Sequence, residues 1–394
     1  MSYASKQVKS LPPYLFSVFH EKKRKLQKQG IDVIDLGIGA PDLPTPDFII
    51  DRLIEEARKP ENHKYSPYGG SQEFKQAVAT FYKNHYGVTL DPTHEVLTLI
   101  GSKEGIAHLI QAVINPGEGV LIPDPGYPVY QSAVHLAHGE SVPYPLDEIN
   151  GYVPDFSKVP TSQLKKSKLL LLNYPSNPTG ATVERETFTS AITFAKEHNL
   201  CAVHDAAYDL VTFNGYQSPS ILQAEGAMER AVEFGSLSKS FNMTGWRIGY
   251  VVGNRELIQA LSIMKSNIDT SQFLAIQKAG AAALTSDLST VKSNNLVYQE
   301  RMETMVDALK QAGINAGKPR GTFFLWAKVP DGYSSQQFAE KILEACGVII
   351  TPGTAFGAKG EGYFRISLSV PTDRLNEAAN RILKMNAVEE RDHE

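Results

Sequence analysis

Cysteine is nearly absent from the 394 residues, which hold only Cys201 and Cys346. Both sit in apolar contexts, Asn-Leu-Cys-Ala-Val and Glu-Ala-Cys-Gly-Val. That excludes a disulfide framework and predicts two buried thiols in a reduced protein. Neither sign of charge is in excess: 39 Lys and Arg against 43 Asp and Glu give a net charge of −4. Nucleic acid and anionic membranes are therefore not expected as partners. No apolar run approaches the roughly 18 residues a membrane helix needs. Met1 to Ser10 is polar and lacks the apolar core of a secretory signal, so the cytoplasm is the expected compartment. Internal repeats and low-complexity tracts are missing too, and no metal site is expected.

What remains is an ordinary globular composition, 42% hydrophobic and 21% charged, long enough for two cores. An apolar arm, Leu11 to Phe16, leads to a basic helix over Glu21 to Gln29 and a strand over Ile31 to Leu36. Helical patterns cover 46–59 and 71–86. From residue 95 short apolar strands alternate with helices. Strands are predicted over Val96 to Ile100, Gly119 to Ile122, Leu169 to Leu172, Cys201 to His204 and Ala231 to Phe234. Helices are predicted over Lys103 to Val113 and Arg185 to His198. This alternation predicts an α/β fold, a mostly parallel sheet sandwiched by helices. Beyond residue 285 the texture becomes α+β. It has a long helix over Leu288 to Ala312 and strands at Gly321 to Trp326, 347–351 and 363–368. Helices at 335–345 and 372–385 complete it, and the charged tail Glu389 to Glu394 reads as a solvated end. The expected organisation is an arm and part of a small domain (1–45), a large domain (46–285) and a small C-terminal domain (286–394).

Ligands of parallel sheets gather at the carboxyl ends of the strands, and the candidate residues follow their strands closely. Lys239 lies in Ser236-Leu237-Ser238-Lys239-Ser240, with Arg247 and Gly249 beyond. A carbonyl cofactor held as a Schiff base needs such an amine on a rigid turn. Ser236, Ser238 and the Arg247 fork suit a phosphate. Gly101-Ser102-Lys103-Glu104-Gly105 reads as a phosphate cradle at a helix start or simply as a tight turn. Tyr127, in Pro123 to Pro128, is a stacking ring or a packing tyrosine. Asn177 stands in Asn-Pro-Thr-Gly, Asp205 and Tyr208 in His-Asp-Ala-Ala-Tyr, and Arg365 in the apolar strand Gly362 to Ser367. Arg365 needs a partner there, and a carboxylate fits.

Together these stretches resemble the pyridoxal-phosphate aminotransferases of class I/II, the aspartate aminotransferase superfamily of fold type I. The resemblance runs from Leu11 to the last helix. It implies that Lys239 binds pyridoxal 5'-phosphate and that Asp205 pairs with the ring nitrogen. Asn177 and Tyr208 would meet its phenolic oxygen, and Ser102, Lys103, Ser236, Ser238 and Arg247 its phosphate. Arg365, Asn177 and the Gly39 backbone would hold the substrate carboxylate, with Tyr14 lining the pocket. Tyr65 would reach the neighbour's phosphate in a homodimer with shared sites.

Four stretches are similar to the LL-diaminopimelate aminotransferase branch: Leu11 to Phe16, Asp35 to Pro46, Gly101 to Ile106 and Lys265 to Asp269. That branch carries asparagine near Thr270, a departure that bears on the distal substrate group. No arginine lies between Ser266 and Gln277, where animal-type aspartate enzymes hold one. The implied function is amino-group exchange between an L-amino acid and a 2-oxo acid such as 2-oxoglutarate, with L,L-diaminopimelate as one candidate donor. Alternatives are an alanine/glutamate, methionine or aromatic aminotransferase, a C–S β-lyase, or the effector-binding domain of a transcription regulator. The last would need a basic DNA-binding extension that neither end offers.

Overall fold

The computed structural model describes residues 3–11 and 15–392. Its centre is a seven-stranded sheet built from β1 (Val96–Leu99), β2 (Gly119–Asp124), β3 (Glu140–Pro145), β4 (Ser167–Asn173), β5 (Cys201–Asp205), β6 (Ala231–Ser236) and β7 (Gly249–Gly253). The spatial order is β1-β7-β6-β5-β4-β2-β3. The strands from β3 to β6 run parallel, and β7 is antiparallel to both β6 and β1. Leu169, Leu170, Leu171 and Leu172 are all fully buried. That is the signature of a central strand covered on both faces. Phe188, Ala191 and Ile192 of the helix Arg185–Glu197 pack on one side of the sheet, and Ile106, Leu109 and Ile110 of the helix Ser102–Val113 on the other.

A second, smaller cluster lies beside it. Tyr363–Ser367 pairs antiparallel with both Phe324–Lys328 and Thr351–Pro352. The helices Ser289–Gln311, Ser335–Cys346 and Thr372–Asp392 cover this sheet. Tyr208 and Val211, from the loop after β5, belong to the same cluster as Phe323 and Phe324. The residues next to the candidate site thus tie the two cores together.

Several boundaries differ from the sequence reading. The basic helix begins at Leu15 and runs to Lys28. The strand expected over 31–36 is only Ile34–Asp35, paired parallel with Val348–Ile349. The arm divides. Lys22 bridges Glu340 in the C-terminal part at 3.0 Å, while Gln7 donates at 2.8 Å to the His135 carbonyl in the helix Val129–Leu136 that follows β2. The strand after Gly321 starts at Phe324. Thr322 takes a left-handed φ of 65°, which breaks an extended run before it starts. The final helix continues through the charged tail to Asp392. β3 escaped the sequence reading because Pro143 and Pro145 mask an edge strand. Cys346 is buried as expected, but Cys201 is half-buried, and both are free thiols.

One partly buried ion pair fixes the segment that carries Gly39. Arg301 forks onto Asp42 at 2.7 and 2.9 Å and also donates to the Leu368 carbonyl at 3.1 Å and the Thr372 hydroxyl at 3.1 Å. Its side chain is 3% exposed. Removing the arginine leaves a partly buried carboxylate and a buried carbonyl without their donor. Arg301→Met should therefore lower unfolding stability by about 3–5 kcal/mol in denaturant titration. A loss within experimental error would show that the bridge does not hold this segment.

Candidate active site

Strand ends deliver the reactive groups to one cavity of about 390 Å³. Asn173 and Asp205 are register partners at the carboxyl ends of β4 and β5. Ser236 closes β6, and its hydroxyl accepts the Ser238 amide at 3.2 Å, starting the single turn Leu237–Ser240 that carries Lys239. The opposite wall comes from the smaller cluster and the arm, through Phe324, Arg365, Ile38, Gly39 and Ala40.

Lys239 Nζ donates to the Gly39 carbonyl at 2.9 Å and lies 6.0 Å from the Tyr208 ring centre. Burial, with the Arg247 and Arg365 charges, pulls this amine down to about 8, against the opposing pull of Asp205. Asp205 accepts the Tyr130 hydroxyl at 2.7 Å and the Ala207 amide at 3.3 Å. Burial still pushes its carboxyl above the ordinary value. Tyr208 is buried edge-on against Phe323 and Phe324, at 5.5 Å each. Burial also pushes its phenol upward.

Arg365 is 1% exposed. Its fork donates to Asn177 Oδ1 at 2.7 Å and to the Gly37 carbonyl at 2.6 Å. The guanidinium lies 4.2 Å from the Phe324 ring centre and 4.7 Å from that of Phe356. A buried guanidinium between aromatic faces has the planar geometry that suits a carboxylate. Gly39 must be small, because a Cβ there would stand 2.5 Å from the Phe324 ring.

At the other end, Gly101 holds φ +80° and leads into the helix Ser102–Val113. A methyl group at Gly101 would collide with the Arg247 guanidinium. Arg247 itself is left-handed at φ 54°, a conformation that costs energy unless its surroundings enforce it. Gln272 supplies part of that enforcement, donating to the Arg247 carbonyl at 2.9 Å and to the Leu99 carbonyl at 2.8 Å. The helix N-terminus, Ser102, Lys103, Ser236, Ser238 and Arg247 thus converge. Lys103 is pulled down by burial and by Arg247. Among the residues lining the cavity, Lys103, Lys239, Arg247 and Arg365 face a single carboxylate, Asp205. That excess of positive charge, with the backbone amides of a helix start, fits a phosphate-bearing aldehyde cofactor.

The cavity brings together Gly39, Ser102, Lys103, Tyr127, Asn177, Asp205, Tyr208, Ser236, Ser238, Lys239, Arg247 and Arg365. Tyr65 does not join them; it is 91% exposed on the chain's own surface. Tyr14 lies outside the described residues. Sequence reasoning missed Tyr130, Asn173, Thr244 and Gln272. Tyr130 follows Tyr127 by three residues at the start of a helix, and Asn173 stands four residues before the Asn-Pro-Thr-Gly stretch, so two of the four carried a local signal. Gln272 carried none. Among the described residues, Glu104, His108 and Asp269 form one acidic–histidine group. Its centre is filled by the Lys265 amine, 2.7 Å from Glu104 and 3.0 Å from Asp269.

The family model "Aminotransferase class I and II" matches residues 31–382. The chain is 48% identical over 381 residues to the LL-diaminopimelate aminotransferase of Moorella thermoacetica, covering 97% of this chain and 98% of that one. It is 48% identical to the LL-diaminopimelate aminotransferase of Aquifex aeolicus over 378 residues, covering 96% and 98%. Among solved structures it superimposes on substrate-bound BacF from Bacillus subtilis with a TM-score of 0.93 and 40% identity, covering 98% of both chains. A Thermus thermophilus aspartate aminotransferase double mutant matches with a TM-score of 0.91 and 28% identity, over 98% of this chain and 100% of that one. With this fold, this cavity and these relatives, the chain belongs to the class I and II aminotransferases and is a pyridoxal-phosphate-dependent transaminase.

Proposed function

We propose that the protein is an LL-diaminopimelate aminotransferase, exchanging an amino group between L,L-diaminopimelate and 2-oxoglutarate in the cytoplasm. The name shared by its full-length relatives supports the substrate. The convergence of Lys239, Asp205, Asn177 and Arg365 in one cavity carries the chemistry. Pyridoxal phosphate, when bound, supplies an aldehyde that takes up the amino group and a ring that draws electrons from the substrate α-carbon.

The chain's own residues do the rest. Lys239 holds the cofactor and then moves the proton at the substrate α-carbon, acting as base and then as acid. Its depressed basicity suits that task near neutral pH. Asp205 holds the ring nitrogen protonated, oriented by Tyr130. Tyr208 and Asn177 donate to the phenolic oxygen. Ser102, Lys103, Ser236, Ser238 and Arg247 hold the phosphate, and Tyr127 stacks on the ring. Arg365 grips the α-carboxylate, with Asn177 and the Gly39 backbone alongside. The exposed Tyr65 is the group we assign to the neighbour's phosphate in a homodimer. The division at residues 46 and 286 belongs to the same proposal.

A broader donor range is the second reading, and the half-buried Thr270 favours it. Mixing holoenzyme with single amino acids in the absence of an oxo acid separates the two. Rapid loss of the cofactor absorbance with L,L-diaminopimelate and glutamate alone is expected. Comparable rates with alanine, methionine or aromatic amino acids would establish the broader enzyme. Pyruvate and ammonia as products would mark a β-lyase.

The Lys239 amine, lowered from 10.5 to about 8, gives a pH test. Only the neutral amine attacks the aldehyde, so it is competent above about pH 8. The rate at which cofactor-free protein recaptures pyridoxal phosphate should rise through about pH 8 and then level off. A rate still climbing past about pH 10 would mean that the amine is not depressed.

A further inference from the structure

Next to Asp205, on the face of β5 turned away from it, lies a buried charged pair that none of the roles above uses. His204 precedes Asp205 in the strand and is the register partner of Glu233 on β6. Alternation along the strand sends their side chains to the same side of the sheet. His204 Nδ1 stands 2.7 Å from Glu233 Oε2, and Nε2 stands 2.9 Å from the Tyr174 carbonyl oxygen. The side chains are 0% and 1% exposed.

A carbonyl oxygen only accepts, so Nε2 carries a proton. The remaining question is whether the proton between Nδ1 and Glu233 sits on the ring or on the carboxyl. Glu233 also receives the Tyr82 hydroxyl at 2.7 Å, the Ser220 hydroxyl at 2.7 Å and the Ile221 amide at 2.8 Å. Burial pushes its carboxyl up, but the hydrogen bonds from His204, Tyr82 and Ser220 outweigh that and hold it below the ordinary value. A carboxyl that accepts this many donors is a carboxylate. Both ring nitrogens of His204 are then donors. The other titratable groups packed around the pair are Asp209, Tyr82, Tyr86 and Tyr250, and none of them adds a second cation.

We propose that His204, held between Glu233 and the Tyr174 carbonyl, is a positioning residue for Asp205. Its charge, one residue away, favours the ionised carboxylate at the end of β5. Its Nε2–H pins the Tyr174 carbonyl at the root of the turn that presents Asn177. Asn173, beside Tyr174, already donates to the Asp205 carbonyl at 2.9 Å and accepts the Asn177 amide at 2.8 Å. One buried cation therefore braces both residues. The proposal rests on Asp205 facing the cofactor's ring nitrogen.

Nitrogen NMR of cofactor-free, histidine-labelled protein reads the protonation state directly. One of the ten histidines should show a proton on each ring nitrogen, both held in hydrogen bonds. That signal should vanish in His204→Gln. If no histidine of the wild-type protein shows two such hydrogen-bonded ring protons, the proposal fails, whether or not the variant folds. The coupling to Asp205 is read by binding. His204→Gln should weaken pyridoxal phosphate about tenfold but shift its analogue with carbon in place of the ring nitrogen by less than about twofold. Equal weakening of both ligands, or of neither, would reduce His204 to a packing role. Asp205→Ala, measured the same way, separates the two levels. If it also treats the ligands alike, Asp205 does not face the ring nitrogen, and the reading beneath the proposal falls with it.

Discussion

The site depends on keeping a lysine amine dry among other cations. Lys239 is half-buried, its amine turned into the protein with Arg247 and Arg365 acting on it and Asp205 as its counterweight. In water such an amine would be charged at neutral pH and inert as a nucleophile. Burial and like charge bring it to about 8, within reach of both protonation states. The surrounding construction serves that balance. Arg365 stays buried because it has partners, Asn177 and the Gly37 carbonyl, while the exposed Arg247 rests against the Thr244 and Ile100 carbonyls.

A parallel sheet suits this demand because it ends many strands on one edge without using its own side chains to close them. β4, β5 and β6 end within register of one another, so Asn173, Asp205 and Ser236 arrive together. The far wall is not part of the sheet. It is the Phe324 and Arg365 strand pair of the smaller cluster, reached through the Tyr208 to Phe213 loop that packs into that cluster. A cavity between two cores can exclude water while leaving room for a substrate to enter. The Arg301–Asp42 bridge, which does not itself line the cavity, holds the segment bearing Gly39 against that wall.

Much of this was readable in the sequence because the chemistry is encoded at strand ends. The apolar runs before Asn177, Asp205 and Lys239 predicted their convergence, and the cavity contains all three. Arg365 was visible as a charge in an apolar strand. What the sequence hid was tertiary. β7 runs against its neighbours, and nothing in Gly-Tyr-Val-Val-Gly states a direction. Gln272 is a polar residue in a polar loop until the fold sets its amide against two carbonyls. His204 looked like a strand residue beside the interesting one. Its importance lies in Glu233, 29 residues away and opposite it across the sheet. Pairings of that kind depend on register, which local pattern does not specify.

The central claim is that Lys239, and no other lysine of the cavity, carries the cofactor. Borohydride reduction of the holoprotein followed by peptide mapping tests it most directly, since reduction makes the lysine–cofactor bond permanent. The account predicts a single pyridoxyl-modified peptide containing Lys239, absent in Lys239→Ala. Modification at Lys103, or no fixed cofactor on the folded wild-type protein, would contradict it.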